Sequence, residues 1–342
     1  MKIVKQLKLL PTKEQTQLLV NTGKEYISLI NNLVDYWLGQ GKLCKFSSKT
    51  ICAKLPSAVK NQAIQDARSV YIKACKTHIL PELKKPVIIV NNQNYQIGSD
   101  FVSFPVLING KSKRIKVKAI VPDPLFFSQV KLGTLRITKK NKKWIAQIAY
   151  EAIEPAPVNS TNTMGVDLGI LCPAVAVIFT GKVKFFGNGR QNKYIRRYHK
   201  KHRQKLGKAK KLNAIRKSEN KEQRWMRDVD HKISRAIIQF AQQNHVSIIK
   251  LETLTGIRQS TKQSRKNARN IHTWSFYRLQ EFIKYKAKLA GITVVEINPA
   301  YTSQRCPVCG NLHKTNTRKY VCPKCHFVGH RDIVGARNIL VT

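Results

Sequence analysis

Residues 298–338, NPAYTSQRCPVCGNLHKTNTRKYVCPKCHFVGHRDIVGARN, decide the fold of the C-terminal half of the chain. They hold two Cys-x-x-Cys knuckles with twelve residues between them. Each knuckle is a tight turn that directs two sulfurs to one point, and two facing knuckles supply the tetrahedral thiolate shell that zinc prefers. We therefore predict a structural Zn²⁺ site at Cys306, Cys309, Cys322 and Cys325. Possible substitute ligands are His313, His326 and His330.

Carboxylates form a second candidate set. Asp332 lies seven residues after Cys325, at the start of an apolar segment, so a metal knot in that place would fix its position. Three more acids lie beside apolar, strand-like runs: Asp167 in MGVDLG, Glu252 in IIKLETL and Glu296 in VVEIN. Acids in such places within a strongly basic domain do not serve solubility, and a functional role is expected for them.

Magnesium chemistry would explain such a set. Mg²⁺ prefers oxygen ligands, and phosphodiester hydrolysis can use two ions about 3.5–4 Å apart. Three carboxylates from distant strands and a helix would hold that pair of ions. Each acid also has a plainer interpretation: Asp167 as a turn residue, Glu252 as a partner of a lysine, Asp332 as a helix N-cap, and Glu296 as a partner of a basic residue.

The charge of the chain indicates a polyanionic partner. The 342 residues carry a net charge of +45, from 63 Lys and Arg against 18 Asp and Glu. Nucleic acid is the first expectation, and an anionic membrane is the competing one. No apolar run approaches the roughly 20 residues that span a bilayer. The remaining cysteines, at positions 44, 52, 75 and 172, are isolated in sequence, so a reducing, prokaryotic cytoplasm is expected rather than a disulfide framework.

The first 153 residues read as a β domain with inserted helices. Residues 2–10 predict a strand ended by Pro11, and Thr12 with Gln15 forms a capping-box pattern that opens a helix. A second helix is predicted over 57–79. From Pro86 onward, short apolar runs alternate with turn sequences, which predicts a small β-barrel or a curled sheet that the first strand joins. The helix after Thr12 has an apolar stripe at Ile27, Ile30, Val34 and Trp37.

The proline-containing segment 154–163 predicts a linker, and an α/β domain follows it. Residues 190–224 are helical in composition but basic on every face, so they read either as a solvated arm or as part of a helical hairpin that contacts nucleic acid. An apolar stripe returns from Trp225. A further helix is predicted from Trp274 to Ala290, with apolar positions at Phe276, Leu279, Phe282 and Tyr285.

Taken together, these motifs resemble the TnpB family of transposon-encoded, RNA-guided nucleases, which are relatives of the type V CRISPR effectors. The resemblance rests on MGVDLG, on a strand ending in Glu252, and on NPAYTSQRCPVCG, CPKCHFVGHRD and ARNI in that order, and it covers about residues 161–340. The N-terminal half matches in layout only. One departure follows Asp332, where the family usually has Asn-Ala-Ala and this chain reads Ile333-Val334-Gly335-Ala336.

The resemblance implies an α+β multidomain protein with an RNase H-like (RuvC) nuclease domain. Its domains would be a wedge-like β-barrel (1–10 and 84–153), a helical recognition insertion (11–83), a linker (154–163), the nuclease domain (164–300) with a basic helical hairpin (190–243), a zinc ribbon (301–328) and a C-terminal nuclease segment (329–342). Two Mg²⁺ ions would bind the catalytic acids Asp167, Glu252 and Asp332. Expected nucleic-acid contacts are Arg196, Arg197, Lys200, Arg203, Arg224, Arg227, Arg258 and Arg265.

The function that these features predict is guided DNA cleavage. The partners would be a guide RNA made from the protein's own element and a double-stranded target DNA with a short flanking motif, and base pairing would read the sequence. Three alternatives stay open: a nuclease-dead, RNA-guided DNA-binding repressor, a guide-independent DNA-processing nuclease of the transposase or resolvase type, and a plain zinc-ribbon nucleic-acid-binding protein.

Overall fold

The computed structural model describes residues 1–80, 82–218, 220–254, 274–315 and 317–342. The chain divides into two compact units, Met1–Ile153 and Glu154–Thr342. In the described ranges, no helix combines the length and the apolar character needed to cross a membrane.

The first unit begins with a strand, then two long helices, then a run of strands. These elements are β1 (Lys2–Leu9), α1 (Lys13–Gln40), α2 (Ser57–Thr77), β2 (Val87–Val90), β3 (Gln96–Ile97), β4 (Phe101–Ile108), β5 (Lys111–Ile120), α3 (Pro124–Gln129), β6 (Lys131–Lys140) and β7 (Lys143–Glu151). The strands form one sheet in the order β2-β6-β7-β1-β5-β4-β3. Because β1 lies between β7 and β5, the helices are an insertion between one central strand and the rest of the sheet. The sheet fits the curled form that was predicted, while closure into a barrel stays a prediction.

The start of α1 confirms the capping box. The Thr12 hydroxyl accepts from the Gln15 backbone N–H at 3.2 Å, and the Gln15 side chain accepts from the Thr12 N–H at 3.2 Å. The helix ends where Gly41 adopts φ 65°, a left-handed conformation that glycine reaches without strain. The predicted apolar stripe is buried in one core with α2 and the sheet: Ile27, Ile30, Val34 and Trp37.

The second unit is an α/β unit with a small hairpin near its end. Its elements are β8 (Thr163–Asp167), β9 (Ala174–Ile178), β10 (Val183–Phe186), α4 (Gly189–Lys208), α5 (Leu212–Lys217), α6 (Lys221–Gln243), β11 (Ile248–Glu252), α7 (Phe276–Leu289), β12 (Thr293–Ile297), β13 (Lys319–Val321), β14 (Val328–His330) and α8 (Arg331–Val341). Five strands form a sheet in the order β10-β9-β8-β11-β12, and β13 pairs with β14. Strands β8, β11 and β12 are parallel, whereas β9 and β10 are antiparallel to their neighbours.

The five-stranded sheet is covered on both faces. On one face, Met164 and Leu251 join a core with residues of α6 and α7. On the other face, Val175 and Val177 pack against Ala336 and Leu340 of α8. Helix α8 therefore lies alone on the face opposite α6 and α7 in the described part of this unit.

The buried face of α7 differs from the predicted one. Phe276 and Leu279 are buried as expected, but Gln280, Ile283 and Ala287 complete the buried face, so Phe282 and Tyr285 were wrongly assigned to it. Phe282 lies at the border of that face and stacks on the His231 ring of α6, with the ring centroids 3.9 Å apart. An aromatic ring at the edge of a helix interface satisfies the same apolar spacing as a core residue, which explains the error.

Candidate functional site

Two of the predicted acids lie at the same edge of the five-stranded sheet. Asp167 is the last residue of β8, and Glu252 is the last residue of β11. The two strands are parallel neighbours, and their register pairs Leu251 with Val166, one residue before each acid. Since side chains on paired strands at equivalent positions point to the same face, Asp167 and Glu252 lie side by side.

The face that carries these acids is the one that α8 covers. Gly165, two residues before Asp167, lies against Leu340 of α8. Lys250, two residues before Glu252, donates from Nζ to the carbonyl oxygen of Leu340 at 2.8 Å. Alternation along each strand therefore directs both carboxylates towards the α8 side of the sheet.

Helix α8 supplies the third acid in its first turn. His330 is the N-cap, and its Nδ1 accepts from the Asp332 N–H at 3.3 Å, so the interpretation of Asp332 as the N-cap is wrong. One turn later, Gly335 lies beside Asp167, because a Cβ at position 335 would stand 2.9 Å from Asp167 Oδ2. The start of α8 thus lies next to the Asp167 carboxylate.

The electrostatics of this edge are unfavourable for negative charge. Burial, together with the charges of Glu252 and Asp332, raises the pKa of Asp167 to about 8, and Arg331 and Arg318 offset part of that rise. Burial also raises the pKa of Glu252, against a hydrogen bond from Thr302 that lowers it. Carboxyl groups in such a place are short of positive charge, which is the condition that a bound cation would relieve.

Hydrogen bonds from the segment before the cysteines hold Glu252. The Thr302 hydroxyl donates to Glu252 Oε1. The amide of Asn338, which is buried in α8, donates to the carbonyl oxygens of Thr302 at 2.6 Å and Arg305 at 2.7 Å. Gln280 of α7 donates to the Glu252 carbonyl oxygen at 2.6 Å. These supporting residues were not predicted, although a polar asparagine within the apolar side of a helix is a signal that could have found Asn338.

Two of the four candidate acids form ion pairs with basic residues. Arg318 forms an ion pair with Asp332. Lys284 of α7 pairs with Glu296 at 3.0 Å, so the interpretation of Glu296 as a partner of a basic residue is confirmed. The predicted Lys partner of Glu252 is not found among the ion pairs of the described residues, whose contacts to this carboxylate come from Thr302.

The four cysteines form a compact centre. Their sulfur atoms all lie within 4.8 Å of one another, and Cys306 Sγ is 3.6 Å from Cys325 Sγ while Cys309 Sγ is 3.5 Å from Cys322 Sγ. A tetrahedral Zn–S₄ shell has sulfur–sulfur edges of about 3.8 Å, so the cluster can hold zinc. Within the parts of the chain that are described, the three acids are spaced more widely than this, and the histidines do not join the cysteine group.

Both knuckles are closed by the same backbone contact. The carbonyl oxygen of Cys306 accepts from the Gly310 N–H, and that of Cys322 accepts from the His326 N–H, each at 3.0 Å. Gly310 and His326 both have left-handed backbones, with φ of 70° and 57°. Although burial raises the pKa of the Cys322 thiol, backbone N–H groups lower it to about 6. The backbone of Phe327 lowers the pKa of Cys325, but burial and the neighbouring cysteine thiols raise it to about 12. Thiolates this close together would repel one another, and a cation between them would relieve that repulsion.

The basic residues predicted to contact nucleic acid lie mostly on α4 and α6. Arg203 of α4 pairs with Glu222 of α6 at 2.7 Å, and the Arg227 guanidinium lies 5.9 Å from the centre of the Phe282 ring. The rings of Tyr198 and His202 of α4 are nearly parallel, and their centroids lie 6.2 Å apart. The contacts themselves stay a prediction for Arg196, Arg197, Lys200, Arg203, Arg224 and Arg227, and Arg258 and Arg265 lie outside the described residues.

Known proteins resemble this chain in sequence. A model of the Cas12f1-like TNB domain matches residues 276–339, which run from α7 into α8. The CRISPR-associated endodeoxyribonuclease Cas12f1 of Sulfoacidibacillus thermotolerans is 27% identical over 307 residues, which are 79% of this chain and 70% of that protein. A TnpB-like protein of Methanocaldococcus jannaschii is 39% identical over 125 residues, 36% of this chain and 45% of that protein. The chain is similar in sequence to TnpB-like proteins and to Cas12f1.

The TnpB resemblance inferred from the motifs is therefore confirmed. Among solved structures, the Cas12f1–sgRNA–target DNA complex matches with a TM-score of 0.69 at 16% identity, covering 96% of this chain and 83% of the Cas12f1 chain. At this identity the likeness is one of fold. The region that matches the TNB domain contains the four cysteines and Asp332.

Proposed function

We propose that this chain is an RNA-guided DNA endonuclease that hydrolyses phosphodiester bonds at the acidic edge of its five-stranded sheet. One observation carries the proposal. Asp167 and Glu252 end two neighbouring parallel strands, and α8 carries Asp332 to the same face. Carboxylates that approach one edge of a sheet from distant parts of the chain raise one another's pKa, and a bound divalent cation would stabilise their ionised forms.

The sheet supports an RNase H-type (RuvC-like) identity for the second unit. Three antiparallel strands, β10, β9 and β8, continue into the parallel strands β11 and β12, and α8 lies on the face of the acids. The hairpin β13–β14 and its cysteines come immediately before α8. This order agrees with a zinc ribbon inserted before the last catalytic acid.

Asp167, Glu252 and Asp332 would hold the two magnesium ions, since all their donor atoms are carboxylate oxygens. Bound magnesium would supply the polarisation of the attacking water and of the departing 3′ oxygen. The residues of the chain prepare the site. Thr302 orients the Glu252 carboxylate, Asn338 holds the Thr302 segment on α8, and Gly335 leaves room for the Asp167 carboxylate.

The proton balance of the site follows from Asp167. With a pKa of about 8, this carboxyl group holds a proton at neutral pH when no cation is bound. Because magnesium binds the ionised form, loading the site would release that proton to water. Magnesium affinity is therefore expected to rise with pH up to about 8.

The partners would be a guide RNA from the protein's own element and a double-stranded DNA target beside a short flanking motif. The net charge of +45 and the basic surfaces of α4 and α6 support a polyanionic partner of this size. The Cas12f1 with the same fold was solved with a single-guide RNA and target DNA. On the proposed division of labour, base pairing reads the target, and the protein binds backbone phosphates.

The decisive experiment is cleavage by protein purified with RNA from its own locus. We expect magnesium-dependent cutting of DNA matched to that RNA. Asp167→Ala should reduce the rate by about 10³-fold or more while RNA binding stays intact. Asp35→Ala, which changes an exposed acid of α1, is the matched control and should cut normally.

Other outcomes would contradict the proposal in distinct ways. Cutting by RNA-free protein would indicate a guide-independent nuclease of the transposase or resolvase type. Guide-dependent DNA binding without cutting at any magnesium concentration would indicate a nuclease-dead repressor.

A further inference from the structure

Arg318 pairs with the carboxylate of Asp332, which the proposed nuclease site needs as a metal ligand. Its guanidinium forms an ion pair with Asp332, and the Asp332 side chain retains only 14% of its exposure. The same guanidinium acts against the rise in the pKa of Asp167, so its positive charge reaches a second acid of this edge. Arg318 thus supplies part of the positive charge that this edge lacks.

The position of Arg318 is set by the cysteine hairpin. Arg318 directly precedes β13, and its carbonyl oxygen accepts from the Arg331 N–H at 2.8 Å, one residue before Asp332. Strand β13 then runs into Cys322, so the cysteine centre fixes the strand that places Arg318. The hydrogen bond from Arg331 holds the Arg318 backbone, whereas the Arg318 side chain is 44% exposed and has room to move away from Asp332.

The neighbouring arginine, Arg331, makes a different contact. The Arg331 guanidinium donates to the Thr315 carbonyl oxygen at 3.1 Å, which directs it to the hairpin instead. Arg318 is therefore the arginine whose guanidinium meets the Asp332 oxygen in the described residues. Since a guanidinium stays charged at any working pH, deprotonation of Arg318 would not release Asp332, and another cation must displace Arg318.

We propose that Arg318 is a placeholder cation, which occupies Asp332 in the metal-free site and must be displaced before a divalent ion can bind there. The inference rests on the proposed function, because it assumes that Asp332 is a metal ligand. It assigns to the cysteine hairpin a role beyond support: the hairpin sets how readily the nuclease site takes up its metal. Arg318 is a positioning residue in this scheme, acting through Asp332.

The test is Mn²⁺ binding by the full chain, measured by electron paramagnetic resonance of free Mn²⁺ in a titration without nucleic acid. Arg318→Met removes the competitor, so it should tighten binding by about tenfold. Lys319→Met removes the same charge from the adjacent, exposed position and should change the affinity by less than about twofold. Asp332→Asn should weaken Mn²⁺ binding both in the wild-type chain and in the Arg318→Met variant.

The possible failures are distinguishable. Equal Mn²⁺ affinities for wild type and Arg318→Met would overturn the placeholder role and leave the proposed nuclease intact. Absence of Mn²⁺ binding in both proteins would overturn both proposals. If Arg318→Met does not fold, as judged by circular dichroism and zinc content, Arg318→Lys serves in its place. A lysine lacks the planar fork, so affinity should rise by a smaller factor, and an unchanged affinity would again overturn the inference.

Discussion

Gly165 of β8 lies directly beneath Ala336 of α8. A Cβ at position 165 would overlap the Ala336 carbonyl oxygen and stand 2.7 Å from the Leu340 nitrogen. Both atoms belong to the helix backbone, so a side chain here could not be accommodated by a rotamer change. The distance between the sheet and α8, and with it the place of Asp332 relative to Asp167, depends on this glycine.

Gly165→Ala should therefore displace α8 from the sheet. We expect a loss of about 3 kcal/mol in the free energy of unfolding, together with a large loss of DNA cleavage. Urea unfolding followed by circular dichroism measures the first effect. Gly39→Ala in α1 is the matched control, since a Cβ there meets nothing within 4 Å. An unchanged stability for Gly165→Ala would contradict the close packing of α8.

Asp167 should make the metal-free protein less stable as the pH rises. Its pKa of about 8 lies above the ordinary 3.8, so the folded state holds a proton that the unfolded state has lost between about pH 4 and pH 8. The free energy of unfolding that this proton contributes therefore declines as the pH rises from about 4 to about 8, and the contribution is lost above pH 8. Asp167→Asn should escape the decline, and its advantage over wild type should grow by about 2 kcal/mol from pH 6 to pH 8.

Urea unfolding without added magnesium, at several pH values from 6 to 9, measures that advantage. Asp35→Asn, which changes an exposed carboxylate, should show a constant difference from wild type across the same range. Added magnesium should cancel much of the benefit of Asp167→Asn at pH 8. A difference that does not vary with pH would refute the unfavourable charge at Asp167.

The cysteine centre should bind one zinc ion per chain, and Cys322→Ser should abolish binding. Cys322 is buried with Tyr320 and Val334, so loss of the metal should unfold the hairpin and release the start of α8. We expect a lower melting temperature and lost cleavage. Metal analysis by mass spectrometry gives the zinc content, and Cys75→Ser, at an exposed cysteine of α2, should retain full zinc.

The ion pair between α6 and α7 should be costly to break from one side. Asp230 is 3% exposed, and Arg278 contacts its Oδ2 at 2.6 Å. Arg278→Gln removes the cation that pairs directly with this buried carboxylate and leaves only the more distant charge of Arg196, which should cost about 3 kcal/mol. The exposed pair of Lys232 and Asp228 on the same helix offers the control, because Lys232→Gln should cost less than about 0.5 kcal/mol.

A double-mutant cycle separates the pair from its surroundings. Asp230→Asn combined with Arg278→Gln removes both charges, and it should be less destabilised than Arg278→Gln alone. Additive losses would show that the two side chains act independently, contrary to their contact.

Local patterns predicted much of this fold. The Thr12 capping box, the stripe that includes Trp37, the strands that end in Asp167 and Glu252, and the four-cysteine centre all follow from short-range spacing. Such features depend on periodicity or on turn chemistry, which neighbouring residues determine.

Long-range contacts were not predictable in the same way. Asn338 reaches Thr302, and Arg318 reaches Asp332, only because α8 and the hairpin dock in one register, which no local pattern encodes. The alternative interpretation of Asp332 as an N-cap failed for a similar reason: a histidine two residues earlier takes that role in this fold. The packing of Gly165 could have been suspected, since a glycine within a strand often marks a close approach of backbones.

Helices α4 and α5 bury almost none of their side chains, with Gly189 as the buried residue in α4 and none in α5. They therefore form a segment between β10 and α6 that contributes basic charge but almost nothing to the hydrophobic core. The length of this segment can therefore change without changing the carboxylates of the proposed nuclease site. A compact version with residues 190–217 replaced by a short glycine-serine linker should keep the melting transition of the second unit, and lose mainly its hold on polyanions.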